Sequence, residues 1–145
     1  MMRVVFFAWF VFFVFVSFNI LNAQEISRID LLYKNVKSDT FVPLFRAFKN
    51  GDIDAIKEYI SDDMYEKNKV LLEQNKEYPN FLRNFYSDAI FQVRKVVKSE
   101  EMVFVDVRVR FPSGYQSVTK VQLKEGKNKA GDTIWKVINF MENSQ

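Results

Sequence analysis

The sequence predicts an α+β fold in which N-terminal helices pack on a four-stranded antiparallel sheet. In the stretch 102–111, valines alternate with other, mostly polar residues at a period of two, as in a strand with one buried face. Between residues 40 and 75, apolar residues recur at the spacing of amphipathic helices. The period changes to two at Asp88, so the helices precede the sheet in the chain.

Four strands joined by short turns are expected in the second half of the chain. They span about residues 89–98, 102–111, 115–124 and 133–141. Parallel neighbours would need crossover connections of about a dozen residues or more, so the strands form an antiparallel meander. The helices cover the valine face of the second strand, and Asp106, which has the opposite parity, points away from them.

Capping residues divide the first half of the chain into helices. Residues 26–36 have the spacing of a short amphipathic helix or docked leader. Thr40 is expected to cap the next helix, which carries a stripe of Phe and Leu side chains and ends at Gly51. Asp52 is expected to cap a further helix at once.

The rest of the helical half contains one more long pattern and one short turn. The chain restarts as a helix after Ser61 and continues to about Asn75. Pro79 is expected to end this run, and Asn80 to cap a single helical turn.

Residues 1–23 have the pattern of a secretory signal. A basic start at Arg3 precedes a long apolar run, and a small residue, Ala23, precedes the expected cleavage point. An uncleaved membrane anchor is the alternative, because the apolar run is long for a signal and short for a span. The signal predicts export to the periplasm or medium, a leader helix or linker over residues 24–39 and one domain over residues 40–145.

The composition excludes several kinds of chemistry. The chain has 21 Lys and Arg against 18 Asp and Glu, a balance that does not favour nucleic acid as a partner. It has no Cys, and therefore no disulfide and no thiol chemistry. It has no His, which is the usual general base near neutral pH and a frequent metal ligand. No cofactor and no metal are expected.

Two segments carry a resemblance to a known superfamily. Segment 45–56 resembles the Phe-x-Ala-x-x-x-Gly-Asp-x-x-Ala helix pair of nuclear transport factor 2-like (cystatin-like) domains, and segment 131–138 resembles their closing Gly-x-Trp-Lys-Ile strand. In particular, the chain resembles the small exported bacterial members of unknown function, sometimes grouped as lumazine-binding-like. The resemblance implies a cone-shaped domain, in which a curved sheet wraps the helices and can leave a pocket at its wide end.

Enzymes of this superfamily place carboxylates inside the cone. Asp106 is the tempting candidate here, but its parity places it on the outer face of the sheet, where a Lys or Arg is expected to pair with it. The sequence therefore predicts a domain without catalytic residues. An enzyme that uses a carboxylate in the cone on a small hydrophobic substrate is the alternative.

The inner parity of the last two strands supplies the candidate ligand-binding residues. They are Tyr115, Ser117, Thr119, Trp135 and Asn139. Such polar groups, converging on an apolar cavity, are typical of a small-molecule pocket. The competing interpretation is that Tyr115 and Ser117 lie in solvent at a strand end and that Asn139 satisfies a backbone group.

The outer parity mixes apolar and charged side chains, as a self-complementary interface does. Its apolar members are Phe104, Val118, Ile134, Ile138 and Phe140. The resemblance implies dimerisation through this face. The sequence thus predicts a binding domain for a small hydrophobic molecule or a protein partner, with a homodimer through the outer face. A structural envelope module without a pocket is the other alternative, and the membrane is a partner only through an uncleaved signal segment.

Overall fold

The computed structural model describes residues 23–141, which contain helices followed by one four-stranded antiparallel sheet. The strands lie in chain order in the sheet. They are β1 (Ile90–Ser99), β2 (Met102–Arg110), β3 (Gln116–Lys127) and β4 (Thr133–Met141). The predicted α+β class, with helices first and a meander after them, is confirmed.

The helical half is more continuous than the sequence suggests. Residues 23–35 are helical and run into a wider, π-helical stretch, Val36–Phe41. The later elements are α1 (Val42–Asn50), α2 (Ile53–Tyr59), α3 (Asp62–Lys69), a second π-helical stretch (Val70–Gln74) and α4 (Tyr78–Tyr86). Within residues 23–141, no helix has both the length and the hydropathy needed to cross a membrane.

The chain divides into two compact units, residues 1–32 and 33–145. The predicted signal segment lies outside the described residues except for Ala23. In the second unit, the residues that precede α1 contact the sheet. Tyr33 donates a hydrogen bond from its hydroxyl to the carbonyl oxygen of Val93 at 2.8 Å, and the Val36 side chain is fully buried. The predicted domain boundary between residues 39 and 40 stays a prediction.

The predicted caps at Gly51 and Asp52 are confirmed, and the helix predicted to restart after Ser61 is capped by Ser61 itself. Gly51 ends α1 in the left-handed conformation with φ +62°, which favours glycine. The Asp52 carboxylate accepts a hydrogen bond from the backbone N–H of Ala55 at 3.0 Å. The Ser61 hydroxyl accepts one from the N–H of Met64 at 3.2 Å. Local sequence therefore sets the end of α1 and the starts of α2 and α3.

Two predicted helix boundaries are wrong. Thr40 does not cap a helix: it lies inside the first π-helical stretch, and its hydroxyl donates to the carbonyl oxygen of Trp135 at 2.6 Å. Pro79 does not end a helix but stands in the first turn of α4, which runs for 9 residues to Tyr86. Proline fits that position because a first-turn N–H has no intrahelical partner.

The faces of β2 are as predicted. Val103, Val105 and Val107 are buried against the helices. Asp106 has the opposite parity and lies on the outer face, with Lys95 and Lys120 as its neighbours in register. The carboxylate considered for catalysis is therefore directed away from the helices and flanked by two cations.

A register shift changes the faces of β4. Leu123 pairs with Val137 and Gln122 pairs with Asn139, which leaves Ile138 without a register partner. One extra residue reverses the parity of the residues after it. Phe140 therefore shares the inner face with Val121, whereas Asn139 lies on the outer face, so the predicted faces of Asn139 and Phe140 are wrong.

The helices also close one edge of the sheet. Ile60 forms a parallel bridge with Val137 in β4, and the N–H of Ser61 donates to the carbonyl oxygen of Val137 at 2.8 Å. The other edge strand, β1, has a register shift at Arg94, between Val93 and Lys95.

Candidate functional site

A cavity lies between the helices and the inner face of the sheet. Its volume is about 410 Å³. The helical half provides most of its wall, including Phe41, Phe45 and Phe48. The sheet contributes the remainder from all four strands. The sheet residues are Phe91, Val107, Val109, Thr119, Val121 and Phe140. This size is within the range of pockets that hold small organic molecules.

Aromatic rings form a continuous part of the cavity wall. The Phe45 ring stacks on that of Phe91 with 4.3 Å between centroids, and it also contacts Phe41 at 5.2 Å. The Tyr86 ring lies 5.5 Å from Phe91 and 5.8 Å from Phe48. These contacts join α1, α4 and β1 around one side of the cavity. Such a wall suits a flat or aromatic guest, because offset ring contacts add to the effect of apolar burial.

The polar groups of the wall are few and come mainly from helices. They are the hydroxyls of Tyr78, Tyr86 and Thr119 and the amide of Asn68. The amide nitrogen of Asn68 donates to the carbonyl oxygen of Met64 at 2.8 Å, so the amide oxygen is the group left to accept. Within residues 23–141, neither tyrosine hydroxyl has a hydrogen-bond partner. Two residues of the wall therefore carry a hydroxyl donor that no described group takes up.

Burial raises the pKa of both tyrosines above the ordinary value. For Tyr78, the charge that Tyr86 would carry when ionised adds a smaller increase to the pKa. Both hydroxyls are consequently neutral donors near pH 7, suited to a carbonyl, ether or hydroxyl oxygen of a guest.

No charged side chain is among the described residues that line the cavity. A carboxylate, an ammonium or an imidazole is the usual general acid or base, and the cavity wall provides none of these. Within residues 23–141, no group of three or more acidic, His or Cys side chains is placed to hold a metal ion. The chemistry that this wall supports is the burial of an apolar body with a few directed hydrogen bonds.

The structure brings one of the five predicted ligand-binding residues to the cavity, Thr119. Tyr115 is exposed, and its ring lies against Phe111. Ser117 pairs with Val109 on the inner face but does not line the cavity. Trp135 lies outside the cavity, with the Lys98 ammonium 5.8 Å from its ring. Asn139 is on the outer face.

The other polar residues that line the cavity lie on helices, where strand parity cannot identify them. Asn68 stands one helical turn after Met64 in α3, and this spacing places both on the face that carries the apolar stripe. Tyr78 and Tyr86 were missed because a turn was predicted at Pro79, so that α4 was not predicted as a full helix. The apolar face of α4, taken as a full helix, includes both tyrosines.

The outer face of the sheet holds a second concave surface, with a volume of about 350 Å³. Phe104, Val97 and Met141 provide its apolar part, and Lys95, Asp106 and Lys120 its charges. Of the predicted outer apolar residues, Phe104 and Val118 lie on this face. Phe140 is on the inner face and Ile134 is buried, so the predicted apolar patch is smaller and differently composed.

An ionic cluster lies on the surface of the helical half, apart from both concave surfaces. The Lys57 ammonium contacts Glu73 at 3.0 Å, and the Tyr65 hydroxyl donates to the same carboxylate oxygen. The hydrogen bonds from Tyr65 and then from Lys57 hold the pKa of Glu73 below its ordinary value. The cluster links α2, α3 and the second π-helical stretch at the surface, which is a structural role.

Comparisons with known proteins find a similar solved structure. No family model matches the chain, and no curated protein does. The chain is similar to a crystal structure from Campylobacter jejuni that is described as an NTF2-like transpeptidase. The two share 14% sequence identity with a TM-score of 0.47, over 68% of this chain and 94% of that one. A likeness at this level carries no conclusion about function.

Proposed function

We propose that this chain is an exported domain of the nuclear transport factor 2-like type that binds a small, largely apolar molecule in its inner cavity. The cavity is the observation that carries the proposal. Its volume of about 410 Å³ and its uncharged wall suit a neutral guest. The ring contacts of Phe45, Phe91 and Tyr86 favour a guest with a flat or aromatic part.

The hydroxyls of Tyr78 and Tyr86, which have no partner among residues 23–141, define the polar end of this guest. Tyr78 and Tyr86 are neutral donors, so the guest should present an oxygen acceptor at that end. A carboxylate is a poorer match than a carbonyl or hydroxyl, because the described wall contains no cation to compensate its charge.

The experiment is a fluorescence titration with N-phenyl-1-naphthylamine, a neutral aromatic probe whose emission rises in apolar surroundings. The protein should bind the probe with a Kd on the order of micromolar. Val109→Phe adds a ring to the cavity wall and should weaken binding by about tenfold or more. Val118→Phe makes the same change on the outer face and should leave binding unaltered.

Circular dichroism on both variants would show that each retains the fold. Equal affinity for the probe in Val109→Phe and Val118→Phe, or no binding by the unsubstituted protein, would exclude the cavity as the binding site. Mass spectrometry of protein purified natively from an exporting host would add two facts: whether the mature chain begins at Gln24, and whether a small molecule remains bound.

A homodimer through the outer face is the second proposal, and the concave surface around Phe104 supports it. Apolar side chains flanked by both signs of charge can meet their own copy across a twofold axis. Sedimentation velocity should then show a dimer at micromolar protein. Phe104→Glu should convert it to a monomer, whereas Val70→Glu, an exposed change on the helical side, should not. A monomeric unsubstituted protein would contradict this proposal.

A further inference from the structure

The outer face of the sheet is strongly basic. The register places six cations and one carboxylate on this face, across the four strands. The cations are Lys95, Arg108, Arg110, Lys120, Lys124 and Lys136, and the carboxylate is Asp106. The whole chain has 21 basic and 18 acidic residues, so the near balance of the sequence conceals a separation of charge in the structure.

Five of the six cations lie on a diagonal line from β2 to β4. We call this line the outer cationic stripe; its members are Arg110, Arg108, Lys120, Lys124 and Lys136. With about 4.8 Å between strands and about 6.8 Å between alternate residues of one strand, the stripe is about 30 Å long. The sixth cation, Lys95, pairs in register with Asp106 on the β1 side of the stripe. The single carboxylate of the face therefore has a cation of its own beside it.

No acidic side chain pairs with the stripe. Among residues 23–141, none of its members forms an ion pair within 4.0 Å, whereas on the helices Lys57 pairs with Glu73 at 3.0 Å. Glu125 has the opposite parity from Lys124 and pairs in register with Trp135. The other acids of residues 88–141 lie outside the strands; they are Asp88, Glu100, Glu101 and Asp132. The positive charge of the stripe is thus uncompensated within the described chain.

Arg108 has a donor without an acceptor. Its Nε atom is shielded from water and has no hydrogen-bond partner among residues 23–141. A buried donor that stays unpaired is unfavourable. A carboxylate or sulfate group that meets a guanidinium side-on accepts from two of its nitrogens at once. An oxyanion from outside the chain is therefore the kind of group that Arg108 lacks.

Amide side chains share the outer face with the stripe. They are Gln92, Gln116, Gln122 and Asn139. Gln116 pairs in register with Arg110, and Gln92 pairs with Arg108. An amide group both donates and accepts hydrogen bonds, so it suits a hydroxyl group. Cations interleaved with amides match a polymer that carries both anionic groups and hydroxyls.

We propose that the outer cationic stripe binds an acidic glycan, a linear chain of sugars that bear carboxylate or sulfate groups. The line of cations complements a linear polyanion, and the amides complement the hydroxyls of its sugars. The stripe lies on the opposite face of the sheet from the cavity. This proposal therefore goes beyond the guest proposed for the cavity, and its test requires no such guest.

Other anionic or self-complementary partners match fewer of these features. A single-stranded nucleic acid stacks its bases on aromatic rings, and the strands place only one ring on this face, the half-buried Phe104. A second copy of the chain would bring the same cations against the stripe. Glycan binding and the homodimer proposed above therefore exclude each other.

The test is fluorescence anisotropy with a labelled heparin oligosaccharide, whose sugars carry both sulfate and carboxylate groups. The full chain should bind it at low salt with a Kd on the order of micromolar. Raised salt should weaken the binding, because ionic contacts are screened and release counterions. Polyglutamate, a linear polyanion without hydroxyls, should bind about tenfold more weakly or less.

Arg110→Glu with Lys124→Glu reverses two exposed charges of the stripe and should weaken oligosaccharide binding by about tenfold or more. Lys67→Glu with Lys76→Glu is the matched control, because it changes the net charge equally at exposed positions of the helical half. It should leave the affinity unaltered. Circular dichroism checks the fold, and if the first variant does not fold, Arg110→Gln with Lys124→Gln should weaken binding about threefold.

Three outcomes would overturn the proposal. They are no binding of the oligosaccharide, equal losses of affinity in the stripe and control variants, and binding of polyglutamate as tight as that of the oligosaccharide. Vesicles of phosphatidylcholine and phosphatidylglycerol provide a further comparison. Binding to vesicles that is tighter than to the oligosaccharide, and that the stripe variant loses, would assign the stripe to a membrane surface instead.

Discussion

Gly51 satisfies two requirements that no other residue satisfies at that position. Its φ of +62° is unfavourable for a residue with a side chain, and a Cβ there would lie 2.3 Å from the carbonyl oxygen of Pro79. The second requirement arises because α4 packs across the end of α1. A residue whose local role is to end a helix is therefore also a contact point between two helices.

Gly51→Ala should lower the free energy of unfolding by more than the roughly 1–2 kcal/mol that the backbone conformation alone costs, because the Pro79 backbone must also move. Gly131→Ala is the matched control. Its φ is +87°, but nothing lies within 4 Å of an added Cβ. Urea unfolding of both variants checks this, and equal losses would show that the contact with Pro79 costs nothing.

The hydrogen bond made by Thr40 could not be predicted from local sequence. Its type and position are those of a helix cap, yet its hydroxyl reaches Trp135, 95 residues further along the chain. The contact depends on how β4 lies against the first π-helical stretch, which only the folded chain defines.

Thr40→Val keeps the shape of the side chain but leaves the Trp135 carbonyl oxygen without this donor. We expect a loss of about 1–3 kcal/mol in the free energy of unfolding, since Thr40 is fully buried. Ser38→Ala removes an exposed hydrogen bond to Asp39 nearby and should cost no more than about 0.5 kcal/mol. Similar small losses in both variants would contradict a structural role for the bond to Trp135.

At the scale of elements, the helix stripe predicted from sequence has two functions in the structure. All three rings border the cavity, but Phe41 is fully buried whereas Phe45 and Phe48 are half-buried. Spacing places all three on one face, but it does not distinguish a ring that the core encloses from one that is partly open. That difference depends on the volume left between the helices and the sheet.

Phe41→Ala should therefore destabilise the protein by about 3–5 kcal/mol, as expected for a fully buried ring. Phe48→Ala should cost clearly less, because its ring is only half-buried. Thermal and urea unfolding of the two variants give the comparison. An equal cost would mean that Phe48 is enclosed as fully as Phe41 in solution.

The faces of the strands were predictable only as far as the register is regular. Alternation correctly places the valines of β2 and the outer position of Asp106. It fails in β4 beyond Val137, where Ile138 is an extra residue and Asn139 turns outward. Strand parity supplied all five residues of the candidate site, and four of them lie away from the cavity. The register shift accounts for Asn139 alone, because Ser117 keeps the inner parity and still does not line the cavity.

At the scale of the molecule, pH should act on stability through the cavity tyrosines. Burial favours the neutral phenol of Tyr86, so its pKa is higher in the folded than in the unfolded chain. The stability that this provides is complete below the unfolded pKa of about 10 and is lost as the pH rises through the folded value.

Tyr86→Phe should reduce the fall in stability above about pH 10 without abolishing it, because Tyr78 has a pKa raised in the same way. Urea unfolding of both proteins at a series of pH values measures the effect. The difference between their free energies of unfolding at pH 7 is the reference. An identical decline in both proteins would show that Tyr86 is open to solvent.

The fold class could be predicted because most local signals agreed with it: the caps at Gly51 and Asp52, the change of period and the short turns. The cavity could not, since its volume is a property of how the helices pack at a distance from the sheet. Its polar groups lie mainly in α4 and α3. Tyr78 and Tyr86 were missed because the helix boundary was predicted wrongly at Pro79.

The edges of the sheet have a consequence for the whole molecule. A free strand edge invites other chains to add to it, and this is how sheet proteins polymerise. At one edge of this sheet, Ile60 forms a bridge with Val137. At the opposite edge, the Tyr33 hydroxyl donates to the carbonyl oxygen of Val93, and the register shifts at the next residue, Arg94. Both borders are interrupted, so this domain should remain dispersed at high concentration rather than grow into fibres.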